Sequence, residues 1–249
     1  MADRAIGIFD SGIGGLTVFK RIAERLPQEN LLYLGDTARV PYGTKSPDTV
    51  LRYARSCAAR LTDQGIKLLV IACNTASAYA LSALDAELPI PVIGVIRPGA
   101  IEAVRCSRSG RIGVIGTQGT VHSGAYNRAI AAISPKAKVF CQACPLFVPL
   151  AEEGWIKGEV PYAVAQKYLV SLTRKNIDTL VLGCTHYPLM KGVIGEVMGD
   201  RVRLVDSAEE TAREAAAVLG AKGLLRPRGS EVIHKFYVSD VPDKFSSVV

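Results

Sequence analysis

Long apolar runs are what this chain lacks first. No stretch approaches the roughly 20 residues needed to span a bilayer. Asp3 and Arg4 stand directly before the first apolar segment, AIGIF, so no secretory signal is expected here. Aromatic residues are few, 6% with a single tryptophan, and none interleaves with a basic run. The stacking platforms and basic helices that hold nucleic acid are therefore missing. The 30 Lys and Arg exceed the 23 Asp and Glu and leave a formal charge of +7, but they are scattered, as at Arg105, Arg108, Arg111, Arg201, Arg203, Arg226 and Arg228. That excess favours anionic ligands without pointing to nucleic acid.

Cofactor signatures are missing as well. Gly12 and Gly14 are followed by Thr17 where a dinucleotide fingerprint needs its third glycine, although Asp36 imitates the ribose-binding acid. Cys141 and Cys144 form a C-x-x-C, yet the second pair of a zinc ribbon does not exist, and Pro145 with the apolar LFVPL replaces the thioredoxin setting. His122 and His234 have no partner at metal or triad spacing. Six cysteines without a short-spaced secreted framework are expected to be free thiols in a reducing compartment, so the chain is expected in the cytoplasm.

With 49% hydrophobic and 21% charged residues, the chain has the composition of a globular protein. Strand-like runs (AIGIF, LLYLG, LLVIAC, RIGVIG, AKVFC, TLVLGC, VRLVD) alternate with helical patterns, which predicts an α/β fold with mainly parallel sheets. One helix is explicit: Ser46 caps, Pro47 takes the first position, and Val50, Ala54, Cys57, Ala58 and Leu61 form one apolar stripe. Cys57 is expected in the core on that ground, and Cys106, late in the helix after Pro98, likewise. The Ala-rich SAEETAREAAAVLG reads as a terminal helix returning to the first half, with EVIHKFYVS as a strand after it.

Two offsets indicate duplication. Cys73 and Cys184 stand 111 residues apart in similar settings, ACNTAS and GCTHYP; IGIFDSGIGG and IGVIGTQGTV recur with Asp10 and Gly116 at 106. Solenoid repeats are far shorter, so this is domain duplication. The expected halves are residues 1–95 with 207–249, and 96–206.

Each of the two thiols ends a strand and precedes an expected helix, where the helix dipole favours a thiolate. Open α/β sheets bind their ligands at those strand ends. DSGIGG, after the first strand, can turn backbone amides toward an anion, or else is a tight turn that needs glycine at positive φ. Asp10 is then a carboxylate exposed to whatever binds. GDTARVPYG is expected to bring the Tyr42 hydroxyl and the Gly43 amide to the same place. Asn74, Thr75, Thr185 and His186 supply polar groups beside each sulfur, and Glu152 with Glu153 either solvates a helix end or reaches the site. Moving a proton from one face of an α-carbon to the other needs a base and an acid on opposite sides, and thiols tuned by neighbours suit both roles. Asp10 and His186 are the asymmetric assistants.

DSGIGG, GDTARVPYG, ACNTAS, ACPLFVPLAEEG and GCTHYP together resemble the glutamate racemases of bacterial cell-wall synthesis, in order over nearly the whole chain. The resemblance implies a cofactor-independent enzyme interconverting L- and D-glutamate, with two similar α/β domains closing over the substrate, and often a homodimer. By motif, Cys73 and Cys184 are the catalytic thiols, assisted by Asp10 and His186; Asp10, Ser11, Tyr42, Gly43, Asn74, Thr75, Thr185 and His186 match substrate-binding positions. Asp36 and Glu152 fall at acidic positions near the site. Some members are also reported to inhibit DNA gyrase, a point on which the scattered charges give no direction. Two other readings stand beside this one: a racemase of aspartate or a hydantoin, separable by a substrate panel, and a nucleotide- or redox-cofactor-binding protein, which would carry a chromophore or bind nucleotide.

Overall fold

The computed structural model describes residues 1–227, 229 and 231–240; Arg228, Ser230 and the residues after Asp240 lie outside the described residues. From the N-terminus, β1 (Ile6–Asp10), α1 (Leu16–Arg25), β2 (Leu31–Gly35), α2 (Pro47–Thr62), β3 (Leu68–Ile71), α3 (Asn74–Glu87) and β4 (Val92–Gly94) alternate. Next come α4 (Ile96–Cys106), β5 (Arg111–Gly116), α5 (Gln118–His122), α6 (Ala125–Ile133), β6 (Lys138–Ala143), α7 (Phe147–Glu152), α8 (Glu159–Thr173), β7 (Thr179–Gly183), α9 (Lys191–Met198) and β8 (Arg203–Val205). Last are α10 (Ala208–Ala221) and β9 (His234–Val238). The chain divides into two compact units, Met1–Val95 with the chain from Ala208 onward, and Ile96–Ser207.

Both sheets are wholly parallel, as βαβ connections require. The first runs β4-β3-β1-β2-β9 and the second β6-β5-β7-β8. The inner strands β1, β2, β3 and β7 are buried along their whole length, which is why they read as nearly unbroken apolar runs, whereas the edge strands β6 and β9 stay partly exposed. In the first unit Ile6, Ile8, Tyr33 and Val70 pack with α1 and with Ala208, Ala212, Ala215 and Leu219 of α10. Phe9, Leu32, Leu34, Leu69 and Ile71 pack on the opposite face with the stripe of α2. Gly7 is needed for that second layer, since a Cβ there would lie 2.7 Å from Ile66. In the second unit Ile115, Leu180 and Leu182 carry a core closed by α7, α8 and α9.

The Ser46 cap forms as expected, its Oγ accepting from the Thr49 amide at 3.3 Å, and Cys57 is buried in the α2 stripe. Cys106 differs from expectation. It ends α4, is only half-buried, and its Sγ sits 3.1 Å from Glu102 Oε1 one turn back. Three-residue β4 carries no periodicity of its own, so only the sheet reveals it. Among the described residues, no helix is long and apolar enough to cross a membrane.

Two polar knots hold the layers. Lys67, just before β3, places Nζ 2.5 Å from Glu29 Oε2 with both side chains buried. The same ammonium donates to the Leu224 carbonyl at 2.8 Å, and Glu29 Oε1 accepts from the Arg226 amide at 2.9 Å, so the pair ties β3 to the chain after α10. Asp178, before β7, accepts from Ser107 Oγ (2.6 Å), Arg108 N (2.8 Å) and Ser109 N (2.6 Å). Burial alone would raise its pKa; the hydrogen bonds from Ser107 and Ser109 outweigh it and hold the carboxyl down to about 2.

Lys67→Met, which strands the Glu29 carboxylate, is expected to cost about 3–5 kcal/mol in urea unfolding. For Asp178 the folded pKa lies below the unfolded one, so its contribution is fully present above about pH 4 and is lost as pH falls through about 2. Thermal melts should therefore show Asp178→Asn less stable than wild type at pH 7, with the gap closing through that acid window.

Candidate active site

In each sheet one strand is flanked by two neighbours whose connections leave in opposite directions, and at that switch point the loops diverge and open a crevice beyond the strand ends. In the first unit the point lies between β1 and β3, where Phe9 pairs with Ile71; in the second it lies between β5 and β7, where Gly116 pairs with Gly183. Asp10 and Cys73 stand at the first point. Gly116 and Cys184 stand at the second. The duplicated positions are thus chemically unequal, a carboxylate in one unit and no side chain in the other.

Asp10 closes β1, is fully buried, and its Oδ2 accepts from the Gly12 amide at 3.1 Å. Gly12, Gly14 and Gly15 do not take positive φ, contrary to the tight-turn expectation for DSGIGG. Close approach explains two nearby glycines instead: a Cβ on Gly15 would lie 2.5 Å from Asp10 Cβ and 2.9 Å from Tyr33 Oη, and one on Gly35 would lie 2.6 Å from the Gly12 carbonyl. Tyr33 Oη donates to that same carbonyl at 2.8 Å and fixes the loop. Burial, then the charges of Asp10 and Cys73, hold the Tyr33 hydroxyl protonated well above its ordinary range, so it stays a donor. Cys73 caps α3: its carbonyl accepts from Ser77 N at 2.8 Å in the α-helical pattern, and Sγ accepts from Ala76 N at 3.5 Å. A thiolate there has both an amide and the helix dipole to stabilise it. Ser11, Asn74 and Thr75 are buried at the same end of the sheet.

The loop after β2 is organised by Asp36. Its buried carboxylate accepts from Tyr42 Oη, from Arg39 Nε at 3.0 Å and from Ser239 Oγ at 2.9 Å. The Tyr42 hydroxyl is thereby committed inward, with Cys57 Sγ also 3.8 Å away, and it does not face a ligand as expected from the sequence. Burial and then the Asp36 carboxylate push the Cys57 thiol up to about 12, which leaves it protonated and inert.

Around Cys184 the backbone differs from expectation. An α-helix opening at Thr185 would need residue 188 to donate its amide to the Cys184 carbonyl, and residue 188 is Pro, which has none. Tyr187 N donates there instead at 3.1 Å, Leu189 N donates to His186 O at 3.1 Å, and the segment Tyr187–Met190 winds as a 3-10 turn before α9 begins at Lys191. Side chains take the place of the helix end. His186 Nδ1 lies 3.8 Å from Cys184 Sγ, and His186 Nε2 lies 3.3 Å from Glu152 Oε1 at the end of α7. Glu152, 31% exposed, thus reaches the imidazole, whereas Glu153 lines a separate apolar groove with Trp155 and Leu150. Thr185 is buried beside them.

The predicted residues therefore gather as two sets, Asp10, Ser11, Asp36, Tyr42, Gly43, Cys73, Asn74 and Thr75 in one unit and Glu152, Cys184, Thr185 and His186 in the other. Sequence reasoning missed Tyr33 and Tyr126. Tyr126, on α6, is buried and held protonated above its usual range by burial and by the charges of Cys184 and Asp206. For Tyr33 the signal was a lone hydroxyl in the apolar run LLYLG. Of the C-x-x-C pair, Cys141 Sγ contacts Asn127 Oδ1 at 3.2 Å and Cys144 is buried; both thiols are free. Among the described residues, no group of three or more His, Cys, Asp or Glu is placed to hold a metal ion.

A family model described as Asp/Glu/Hydantoin racemase matches residues 6–215. The chain belongs to this family. As a member of the Asp/Glu/hydantoin racemase family it is an amino-acid racemase. The glutamate racemase of Geobacter metallireducens is 60% identical over 245 residues, covering 98% of this chain and 91% of that protein. Among solved structures, glutamate racemase isoform RacE1 from Bacillus anthracis superposes with a TM-score of 0.96 at 40% identity, over 100% of this chain and 93% of its own. The glutamate racemase of Francisella tularensis, in complex with D-glutamate, gives 0.93 at 40% identity, over 100% and 92%.

Gly15→Ala is expected to cost about 1–3 kcal/mol through overpacking and to lower turnover, because relieving the clash moves the Asp10 carboxyl. Thermal melts and a racemase assay read the two effects, with Gly192→Ala, whose added Cβ meets nothing within 4 Å, as the silent control.

Proposed function

We propose that this chain interconverts L- and D-glutamate without a cofactor, using Cys73 and Cys184 on opposite faces of one α-carbon, and so supplies D-glutamate for peptidoglycan. The observation that carries the reading is the pair of thiols at matching switch points with unequal assistants. Glutamate as substrate is supported by the 60% identical relative and by the D-glutamate complex of the Francisella enzyme.

In the proposed reaction one thiol is ionised and the other protonated. The thiolate takes the α-proton and becomes a thiol; the electron pair left on carbon is held as a planar, carbanion-like state beside the carboxylate. The opposite thiol then gives its proton to the other face and becomes the thiolate. The reverse direction exchanges the roles. Asp10 serves the Cys73 side. On the other side His186 stands between Cys184 and Glu152, an arrangement in which a carboxylate supports an imidazole that exchanges a proton with sulfur. Ser11, Asn74, Thr75, Thr185 and the Tyr42–Gly43 backbone are the candidates for holding the substrate's charged groups, with Asp36 fixing the loop that carries the last two. As the family resemblance implies, the reading includes a homodimeric, cytoplasmic enzyme.

Purified, reduced, cofactor-free protein incubated with L-glutamate in deuterated water should acquire α-deuterium while its optical rotation decays to zero. Aspartate and hydantoins in the same assay should turn over far more slowly. Cys73→Ser and Cys184→Ser should each lower racemisation on the order of 10³-fold while retaining some one-sided proton exchange. Undiminished racemisation by Cys73→Ser would sink the two-base reading.

A further inference from the structure

One backbone oxygen joins the two segments that carry the Cys184-side chemistry. The Cys144 carbonyl, just past β6, accepts the Phe147 amide at 3.1 Å, which opens α7, and the Tyr187 hydroxyl at 2.7 Å, from the turn that bears Cys184 and His186. Tyr187 is fully buried, and its ring meets Phe147 edge to face at 5.2 Å between centroids. Phe147 in turn meets Tyr168 of α8 at 5.5 Å. Glu152 lies at the far end of the short helix so anchored, and His186 immediately precedes Tyr187. Their 3.3 Å contact therefore spans two segments clamped to a common acceptor. A buried phenol that makes such a bond cannot trade it for water, so its loss frees the turn by more than the bond's exposed equivalent would.

We infer that Tyr187 is a positioning residue for racemisation: its hydroxyl, sharing the Cys144 carbonyl with the Phe147 amide, sets the spacing between His186 and Glu152. This rests on the two-thiol reading above. It also gives the second cysteine of the C-x-x-C a role that needs neither metal nor disulfide, since the working atom is its carbonyl oxygen.

Tyr187→Phe removes the hydroxyl and keeps the ring. A fall in kcat of about tenfold is expected, the scale of a lost positioning contact, with KM little changed. Because the enantiomers have equal energy, kcat/KM must change equally in both directions, so rates alone do not locate the defect. Primary isotope effects measured separately with α-deuterated L- and D-glutamate do. The expected result is a larger effect for the enantiomer deprotonated from the Cys184 side only, in the same sense as in Glu152→Gln, and no further loss when Tyr187→Phe is added to Glu152→Gln. The chain has three histidines, so imidazole NMR gives a readout independent of turnover: the His186 resonance should shift in Tyr187→Phe while those of His122 and His234 stay. Equal isotope effects for both enantiomers, full additivity with Glu152→Gln, or an unmoved His186 resonance overturns the inference. Should Tyr187→Phe not fold, Tyr187→Met goes through the same measurements, and failure of both to fold assigns the hydroxyl to the fold and refutes the proposal. Absence of glutamate racemisation by the wild type would instead refute the reading beneath it, while the NMR result would still judge the clamp.

Discussion

In a parallel sheet every strand is left at the same end, so the backbone must turn there against its neighbours, and the only place where adjacent connections part is the switch point. The placement of the candidate site in each unit depends on that constraint. Asp10 and Cys73 stand where β1 and β3 part, and Cys184 where β5 and β7 part, positions held by inner strands of each sheet and clear of a crossing connection. The flanking glycines follow from the same constraint. Gly15 and Gly35 let the first loop press against the strand ends, and any side chain on Gly15 would displace the Asp10 carboxyl it lies against.

Duplication has not produced equality. Cys73 is set at the start of a full α-helix and is supported by backbone: an amide on its sulfur and the positive end of α3. Cys184 cannot have this, because Pro188 withholds the amide that would complete the first helical turn. Its support comes from an imidazole and a carboxylate borrowed from α7. Two thiols in unequal surroundings, as the proposed two-base reaction requires, are thus built on one repeated scaffold by changing the neighbours, with Gly116 at the position of Asp10 and Pro188 breaking the helix after Cys184.

Much of this was legible in the residues. The alternation of apolar runs with capped, striped helices announced parallel sheets, and α2 followed its pattern residue for residue because Ser46, Pro47 and the Val50 to Leu61 stripe act locally. The cysteines and their polar neighbours were legible through repetition. What escaped depended on contacts distant in sequence. The inward turn of Tyr42 is decided by Asp36 and Cys57, the role of Tyr33 by a carbonyl on another loop, and the reach of Glu152 by the placement of α7. The helix expected after Cys184 failed on a single missing amide, a signal that was present in the sequence but overridden by likeness to Cys73.

Ser239 bonds both Asp36 and the Ala38 amide, joining residues more than 200 positions apart, and β9 beside it forms the last strand of the first sheet. The unit built around Asp10 is therefore made of two separated stretches of chain, while the unit around Cys184 is one continuous stretch. During synthesis the second can be completed on the ribosome while the first still waits for its closing helix and strand. The loop that Asp36 organises is fastened only once Ser239 has emerged, so the unit that holds Asp10 takes its final form after the continuous unit is already complete.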